Sequence, residues 1–401
     1  MQEADPRDFD QKTYCVYSMF DNINKFSEKY SKLEETYSQE YDDLSTEMEL
    51  HYMENKQPDD EFERKKAFCL DLKNAIQRHC PTWKFDVVPT GSTVNGLGLK
   101  DSDLDVAIHI PQAASFFLDE PRSACLNILQ IVRRIIENDE EISCRIEDLD
   151  EIKLIPAQIQ ILRLNTSDGI ECDISVVTEK FLSSLHNSFL LNHYTRYDHR
   201  FAPLCAIVKK WADVTKVKNP KDGGFNSYAI VLLVAHFLQC GTSPPIIPLL
   251  CEMYKTVRQE DLFFAVDDKM FPHRLDFGAE LPNVEKINEN VKKVTKNKST
   301  TAFLFFEFLH YYKYFKFHRD FISMPEGRVK QRTDQVERKK PVYIQDPFDS
   351  HNPGRTVKNM LHISKVFERT MELFIPKQGV PFTMPKLADL FNKNTYQGIV
   401  D

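Results

Sequence analysis

The chain has 401 residues, with 52 basic and 60 acidic side chains and a formal net charge of −8. Hydrophobic residues make up 42% of it, which excludes wholesale disorder, and the length predicts two or three domains. No apolar run approaches the ~18 residues of a membrane span, and the nine cysteines include no Cys-x-x-Cys pair. We therefore expect a soluble cytoplasmic protein without a membrane partner, whose cysteines are free thiols.

Taken in chain order, the sequence passes from helical periodicity to strand periodicity and back. Residues 10–55 are polar and lack Gly and Pro, which predicts helix, and Pro58 precedes a second helix that runs to Cys80. Alternating segments then predict strands at 83–88, 103–110, 155–164 and 170–177, with a helix at 125–136 between them. From residue 178 onward the pattern is almost entirely helical, with loops predicted at 217–224, 241–248, 267–284 and 322–346.

This distribution predicts a two-lobed α+β protein. An α/β domain with a mixed sheet is expected over 66–177 and a mostly helical domain over 178–401. The helices of residues 1–65 are expected to pack on the helical domain.

The charge is distributed unevenly. Residues 1–65 carry 18 acidic and 8 basic side chains, a net of −10, so the rest of the chain has a net of +2. A basic cluster lies between Arg328 and Lys340. It could attract a polyanion, although a solvated loop is the simpler interpretation.

The motif with the strongest chemical content is Gly91-Ser92, followed after ten residues by Asp103-Leu-Asp105. Alternation along a strand places Asp103 and Asp105 on one face, and Asp173 lies in a later predicted strand. Three carboxylates on two strands could hold two Mg²⁺ or Mn²⁺ ions, whereas an isolated Asp-x-Asp would be only a solvated strand face. Gly91 and Ser92 would offer a backbone N–H and a hydroxyl to phosphates.

These residues resemble the motif of the nucleotidyltransferase superfamily that includes DNA polymerase beta and the poly(A) polymerases. Further blocks resemble the terminal uridylyltransferase and cytoplasmic poly(A) polymerase family, and the resemblance covers about residues 60 to 370. These blocks are 187–191, 202–211, 223–228, 304–315 and 345–357. The resemblance implies that 66–177 is the nucleotidyltransferase domain and that about 300–357 is a poly(A) polymerase-associated region.

The resemblance also implies a role for individual residues. Asp103 and Asp105 would bind the two metals, and Asp173 would join them and assist deprotonation of the RNA 3′-hydroxyl. Gly91 and Ser92 would contact the triphosphate. The remaining implied nucleotide contacts are Asn187 at the ribose 2′-hydroxyl and the base edge, the adjacent Ser188, Lys209 and Ser227 at the β and γ phosphates, and Tyr228 stacked under the base.

One position departs from the family pattern. A second phosphate-binding lysine often stands four residues after the first, and this chain has Asp213 there. An acid would repel a triphosphate unless it points away or is compensated. Lys210, Lys216 and Lys218 are all candidates for that compensation.

Nucleotide choice is predicted from the segment around His351. Family members that prefer UTP carry a histidine directly before Asn-x-Gly-Arg, as here. An imidazole N–H can donate to uracil O4, where adenine presents an amino donor. Asp346 and Asp349 could accept from uracil N3 or order water, and Arg355 could shield the base. The gap from Asp346 to His351 is one residue shorter than in typical uridylyltransferases, which predicts preference and not exclusivity.

The sequence therefore predicts a template-independent RNA uridylyltransferase that adds UMP from UTP to an RNA 3′ end held in a cleft between the two lobes. A poly(A) polymerase using ATP is the alternative, and an inactive RNA-binding scaffold is a second one. The enzyme is expected to be a monomer whose RNA specificity comes partly from a protein partner.

Overall fold

The computed structural model describes residues 17–110, 121–156, 159–178, 183–250, 296–333 and 339–399. These residues form two compact units. Residues 55–195 make up the first, called the sheet unit below. Residues 17–54, 196–250 and 296–399 make up the second, called the helical unit. Strands and helices are both abundant, so the predicted α+β class is confirmed.

The regular elements of the described residues are as follows. The helices are α1 (Tyr17–Thr36), α2 (Ser38–Asn55), α3 (Asp59–His79), α4 (Ser92–Asn95), α5 (Pro121–Asn138), α6 (Glu140–Ser143), α7 (Ser183–Tyr197), α8 (Phe201–Val214), α9 (Ser227–Cys240), α10 (Thr301–Tyr314), α11 (Met360–Glu372) and α12 (Leu387–Leu390). The strands are β1 (Asp86–Thr90), β2 (Leu104–His109), β3 (Lys153–Ile155), β4 (Ile161–Asn165), β5 (Glu171–Val177), β6 (Asp320–Ser323), β7 (Arg328–Gln331) and β8 (Ile344–Gln345). Short 3₁₀ turns occupy Leu149–Glu151, Pro353–Thr356 and Lys393–Tyr396.

The sheet unit is built on a five-stranded mixed sheet with the order β1-β2-β5-β4-β3. β2 and β5 are parallel, and the other neighbouring strands are antiparallel. Proline is tolerated at Pro89 because β1 is an edge strand, where a missing N–H need not break the ladder.

One face of this sheet is covered by α3 and α5. Leu104, Val106 and Ile108 alternate along β2 and join one buried apolar cluster with Leu72 of α3 and Val132 of α5. The residues between them on β2 face the other way, because the side-chain period of a strand is two. The apolar core therefore fixes the face to which Asp105 belongs.

The helical unit is held together by aromatic packing. Trp211 of α8 is fully buried, meets Phe305 and Phe367 edge to face, and donates from its indole N–H to Thr370 Oγ1 at 2.9 Å. Phe26 of α1 packs against Phe303 of α10 with ring centroids 5.7 Å apart. None of the helices that the structure describes has the length and hydropathy needed to span a membrane.

The prediction of a loop over 322–346 was wrong in part. β6, β7 and β8 form a three-stranded sheet there, in the order β7-β6-β8. Strands of two to four residues are too short for a periodic signal, which explains the error. Likewise, the single strand predicted over 155–164 is divided into β3 and β4.

Part of the basic cluster between Arg328 and Lys340 is engaged within this small sheet, whereas Lys339 and Lys340 are exposed. Arg328 and Lys330 both pair with Glu326. Arg332 is buried, and its guanidinium donates to the carbonyl oxygens of Lys340 and Pro341. Arg338 lies outside the described residues.

The division into units differs from the domain boundaries expected from sequence. α7 follows the expected boundary at residue 177, yet its residues up to 195 belong to the sheet unit. Asn192 Nδ2 donates to Val94 O and Thr195 Oγ1 donates to Asn95 O, both at 2.9 Å. These bonds tie α7 to the turn after β1. Residues 17–54 belong to the helical unit, whereas residues 1–16 lie outside the described part.

Candidate active site

The sheet unit places four polar side chains at one level across four adjacent strands. Asp105 of β2 lies directly opposite Asp173 of the parallel strand β5. On the outer sides, Thr90 of β1 lies opposite Asp105, and Arg163 of β4 lies opposite Asp173. Side chains at paired positions of neighbouring strands share a face and interact directly. The two acids and the arginine therefore form a row on the face opposite the apolar core.

Burial and neighbouring negative charge both shift the pKa of Asp105. Its carboxyl is accessible to solvent, yet protein atoms surround it closely. Burial, the neighbouring Asp173 and then Asp103 raise the pKa of Asp105 to about 6. Lys65 and Arg163 oppose this rise. Three carboxylates close enough to repel one another are a donor set suited to a divalent cation.

Arg163 holds Asp173 in a bidentate ion pair. Its Nε and Nη2 donate to the two carboxylate oxygens, each at 2.7 Å. A third nitrogen, Nη1, lies 3.0 Å from Glu171 Oε1. The pKa of Arg163 is raised, chiefly by its hydrogen bond to Asp173. In this arrangement the arginine supplies positive charge that the row of acids needs.

This ion pair limits how the three predicted metal ligands fit a metal. Across the described ranges, no three His, Cys, Asp or Glu side chains are grouped as a ready-made metal site. Asp103 and Asp105 carry oxygen donors of the type that Mg²⁺ and Mn²⁺ prefer. Both carboxylate oxygens of Asp173 are bonded to Arg163. Asp173 can therefore join the metal ligands once Arg163 moves away from it, toward Glu171. When Arg163 has moved, the three carboxylates have the chemistry to bind a divalent cation.

Replacing Arg163 with glutamine is expected to strengthen metal binding several-fold in the absence of nucleotide. Asp173 then no longer has to exchange a bidentate partner for a cation. Calorimetric titration of the nucleotide-free protein with Mg²⁺ measures this effect. Arg133→Gln is the matched control, because Arg133 pairs only locally with Glu137 on α5, at 2.7 Å. Weaker binding by the Arg163 variant would show instead that the arginine orients Asp173 for the metal.

The turn after β1 brings Gly91 against Asp105. Gly91 has φ +63° and ψ −141°, and a Cβ placed on it would lie 2.4 Å from Asp105 Oδ2. Ser92 then begins the single turn α4. The Gly91 N–H donates to Ser188 Oγ at 2.9 Å, and that hydroxyl donates to Ser184 O at 2.8 Å. Ser188 thus holds the turn, and Asn187 beside it on α7 is buried.

In the helical unit, the predicted phosphate ligands lie on two helices. Lys209 of α8 is partly buried; burial and then Lys218 lower its pKa, against an opposite effect of Cys205. Ser227 is the exposed first residue of α9. Asn226 caps that helix by accepting from Ala229 N at 2.8 Å. The same side chain donates to Pro353 O at 3.1 Å, which fixes the loop 345–355 beside α9.

Asp213, the departure from the family pattern, is neutralised. Its carboxylate lies 3.2 Å from Lys218 Nζ. The Lys218 backbone N–H donates to Ala212 O at 2.7 Å, so the turn after α8 holds this lysine near its partner. Lys218, one of the three lysines considered, pairs with Asp213.

The loop 345–355 gathers the residues predicted to read the base. Tyr228 donates from its hydroxyl to the buried Asp346 carboxylate at 2.8 Å. Asp349 Oδ1 accepts from His351 N at 2.6 Å. The guanidinium of Arg355 contacts the His351 ring at Nε2. Asn352 locks the loop by accepting from Ile344 N at 3.0 Å and Gly354 N at 2.8 Å.

The His351 ring is neutral in this setting. Burial and the adjacent Arg355 lower the pKa of His351, against a smaller opposite effect of Asp349. Burial also lowers the pKa of Arg355. A guanidinium has only donors, so the ring accepts from it through the nitrogen that carries no proton. Both ring nitrogens face Arg355 Nη1, Nε2 more closely and Nδ1 at 3.4 Å. A neutral ring keeps one N–H donor.

The predicted site residues therefore fall into two groups. Gly91, Ser92, Asp103, Asp105, Asp173, Asn187 and Ser188 belong to the sheet unit, and Lys209, Ser227, Tyr228, Asp346, Asp349, His351 and Arg355 belong to the helical unit. Sequence reasoning missed Arg163, Lys65, Asn226 and Asn352. An arginine in the apolar strand Ile161–Asn165 was a signal for the first. Asn226 and Asn352 lie in blocks of the family resemblance but were given no role, and Lys65 has no distinctive pattern.

A mixed sheet with paired aspartates on its central strands, next to a glycine–serine turn, defines the palm of a nucleotidyltransferase. Residues 44–196 match the family model of the central palm domain of mitochondrial-like poly(A) RNA polymerase. Residues 301–352 match that of the Cid1 family poly A polymerase. Two separate stretches of the chain thus resemble nucleotidyltransferases of the poly(A) polymerase kind.

Curated relatives and solved structures agree with this assignment. Poly(A) RNA polymerase GLD2 of Danio rerio is 27% identical over 88% of this chain and 67% of its own length. GLD2-B of Xenopus laevis is 29% identical over 73% of this chain and 52% of its own length. The chain thus spans about half to two thirds of these relatives.

Two solved structures share the fold. The Cid1 poly(U) polymerase, with Mg and 3′-dATP bound, superposes with a TM-score of 0.65 at 24% identity, over 88% of this chain and 99% of that chain. The GLD-2/RNP-8 complex gives a TM-score of 0.62 at 26% identity, over 83% and 93%.

Proposed function

We propose that the protein adds nucleotides to RNA 3′ ends without a template and releases pyrophosphate. The pairing of Asp105 with Asp173 across parallel strands, with Asp103 close enough to repel Asp105, is the observation that carries this proposal. Carboxylates that repel one another destabilise the fold, so a row of them indicates a site where a cation and a phosphate chain bind.

Each of the site residues is proposed to have its own role in the reaction. Mg²⁺ or Mn²⁺, when bound, would neutralise the acids and the developing charge on the triphosphate. Asp103 and Asp105 would hold the cations, and Asp173 would take the proton of the RNA 3′-hydroxyl. Lys209, with Lys218 close to it, would stabilise the leaving pyrophosphate.

We favour UTP as the nucleotide. We assign the one N–H donor of the neutral His351 ring to Nδ1, because Arg355 approaches Nε2 more closely than Nδ1. Uracil O4 accepts such a bond, whereas the adenine amino group does not. Asp349 fixes the backbone of His351, so the ring is preorganised. Stacking on Tyr228 is indifferent to the base and would leave selection to His351.

ATP is the second candidate. Curated relatives from fish and frog are named poly(A) RNA polymerases, and they match the chain over most of its length. The loop 345–355 is also one residue shorter between Asp346 and His351 than the uridylyltransferase pattern. Both nucleotides are consistent with the same metal and phosphate residues.

Extension of an end-labelled oligo(A) RNA with Mg²⁺ and each nucleoside triphosphate separately tests the proposal. We expect a longer ladder with UTP than with ATP. His351→Asn should lower the UTP-to-ATP ratio of kcat/KM by about 5-fold or more, the equivalent of about 1 kcal/mol or more of base discrimination. His318→Asn, at an exposed histidine of the same unit, is the control and should not alter the ratio. A ratio unchanged by His351→Asn would contradict base reading, and an ATP ladder alone would establish adenylyl transfer.

RNA choice is proposed to depend on a protein partner. Three basic residues of the cluster 328–340 are engaged within the small sheet, which leaves fewer charges for a phosphate backbone. The solved GLD-2/RNP-8 complex shows that a related chain binds another protein. We further propose a monomeric, cytoplasmic enzyme whose RNA specificity comes partly from that partner.

A further inference from the structure

A fully buried lysine lies directly behind the carboxylates of the sheet unit. Lys65 of α3 has a relative exposure of 0%. Its Nζ lies 2.7 Å from Glu61 Oε1 and donates to Gln57 Oε1 at 2.9 Å. Burial of an ammonium costs several kcal/mol unless charge and hydrogen bonds compensate it, so a lysine is retained here for a specific reason.

The remaining contacts of Lys65 identify that reason. Its Nζ donates to Ser102 O at 2.6 Å and to Ser102 Oγ at 3.1 Å. Ser102 is the residue before Asp103, so both bonds act on the chain at the point where it enters the row of acids. A methionine of similar length would fill the same space but would leave the Ser102 carbonyl without this donor.

The rest of the loop before Asp103 is tied to the same end of α3. Glu61 Oε2 accepts from Asp101 N at 3.1 Å. Asp101 has φ +56°, a left-handed conformation that a non-glycine residue adopts at a cost. The backbone N–H of Lys100 donates to Asn55 O at 2.8 Å, and that of Gln57 donates to Gly98 O at 2.9 Å. The loop 98–102 is therefore fixed along its length, including a strained residue.

Lys65 and Glu61 form a buried ion pair beside this loop. Glu61 balances the charge of the lysine, so the pair adds little net charge that would repel a cation. The pair can therefore hold the loop without opposing the binding of a cation.

We infer that Lys65, together with Glu61, is a positioning residue that holds Asp103 and Asp105 in the geometry that binds the divalent cation. The inference rests on the proposed function only in that this function requires a cation at these acids. Groups that orient metal ligands from behind typically change metal affinity by about 10–100-fold when they are removed.

Direct Mn²⁺ binding by the nucleotide-free protein, followed by electron paramagnetic resonance, tests the inference without relying on catalysis. Lys65→Met should weaken Mn²⁺ binding by about 10-fold or more. Lys66→Met is the matched control on the same helix, because Lys66 pairs at the surface with Glu63 at 3.3 Å. It should bind Mn²⁺ as the unaltered protein does.

A second variant separates positioning from general stability. Lys65→Met leaves Glu61 buried without its counter-ion, which lowers the melting midpoint. Combining it with Glu61→Gln removes that charge, so the midpoint should recover while Mn²⁺ binding stays weak. Recovery of Mn²⁺ binding together with the midpoint would overturn the inference. If the unaltered protein binds Mn²⁺ but adds no nucleotide to RNA, the proposed function fails and the inference stands.

Discussion

Asp105→Asn is expected to abolish nucleotide addition and, at the same time, to raise the melting midpoint of the metal-free protein at pH 7.5. Loss of this carboxylate removes a proposed metal ligand and should lower kcat by about 1,000-fold or more, as for single electrostatic groups in phosphoryl transfer. The stability gain follows from burial of the ionised carboxyl of Asp105 and from its repulsion by Asp173 and Asp103. Asparagine keeps the shape and removes the charge.

The pKa of Asp105 determines how the stability gain of Asp105→Asn depends on pH. The pKa of Asp105 is about 6 in the folded protein and near the usual 3.8 when the chain is unfolded. Ionisation therefore destabilises the fold as pH rises from about 4 to about 6, and the cost stays constant above that range. The advantage of Asp105→Asn should be largest above pH 6.5 and should shrink as the pH falls below 6.

Melting curves in EDTA at several pH values measure this effect. Asp71→Asn is the control, because Asp71 is a surface acid 3.4 Å from Arg145 and should show no such gain. A midpoint of Asp105→Asn equal to or below that of the unaltered protein at pH 7.5 would mean that the three acids do not repel one another as described.

Gly91→Ala is expected to have the second largest effect. The added Cβ would lie 2.4 Å from Asp105 Oδ2, so the carboxylate must move. The backbone at φ +63° is also strained for alanine, by about 1–3 kcal/mol. Displacement of a catalytic group by about 1 Å costs about 100-fold in rate. We therefore expect a loss of this size in kcat, together with a lower melting midpoint.

Gly169→Ala separates the two contributions to that loss. Gly169 also has a positive φ, of +83°, but a Cβ there would meet nothing within 4 Å. This variant should lose stability and keep its kcat. Equal kcat losses in both variants would assign the effect of Gly91→Ala to the backbone and not to the contact with Asp105.

The sequence was most informative where chemistry and periodicity coincide. Alternation predicted that Asp103 and Asp105 share a strand face, and the register then places Asp105 opposite Asp173. The α+β class followed from strands confined to one stretch of the chain. The small sheet of β6, β7 and β8 was missed because no strand in it exceeds four residues.

Side-chain contacts that depend on strand register or on helix packing could not be predicted from a sequence pattern. Arg163 meets Asp173 only because β4 runs antiparallel to β5 with those two residues opposite each other. A shift of one residue would turn Arg163 to the other face of the sheet. Lys65 reads as an ordinary polar residue of an amphipathic helix, and its burial depends on the loop 98–102 folding over it. Ser188 was expected to bind nucleotide, and its contact with Gly91 required the approach of α7.

The helical unit is built from segments that are far apart in the sequence, and this affects the order in which parts of the protein can fold on the ribosome. α1 and α2 are made early, yet their packing partners come late. Phe26 contacts Phe303, Ser45 Oγ accepts from Ala302 N at 2.9 Å, and Glu47 accepts from Leu387 N at 3.0 Å. The described strands of the five-stranded sheet, by contrast, all lie within residues 55–195. The five-stranded sheet can therefore form before the residues that pack on the first helices have been synthesised.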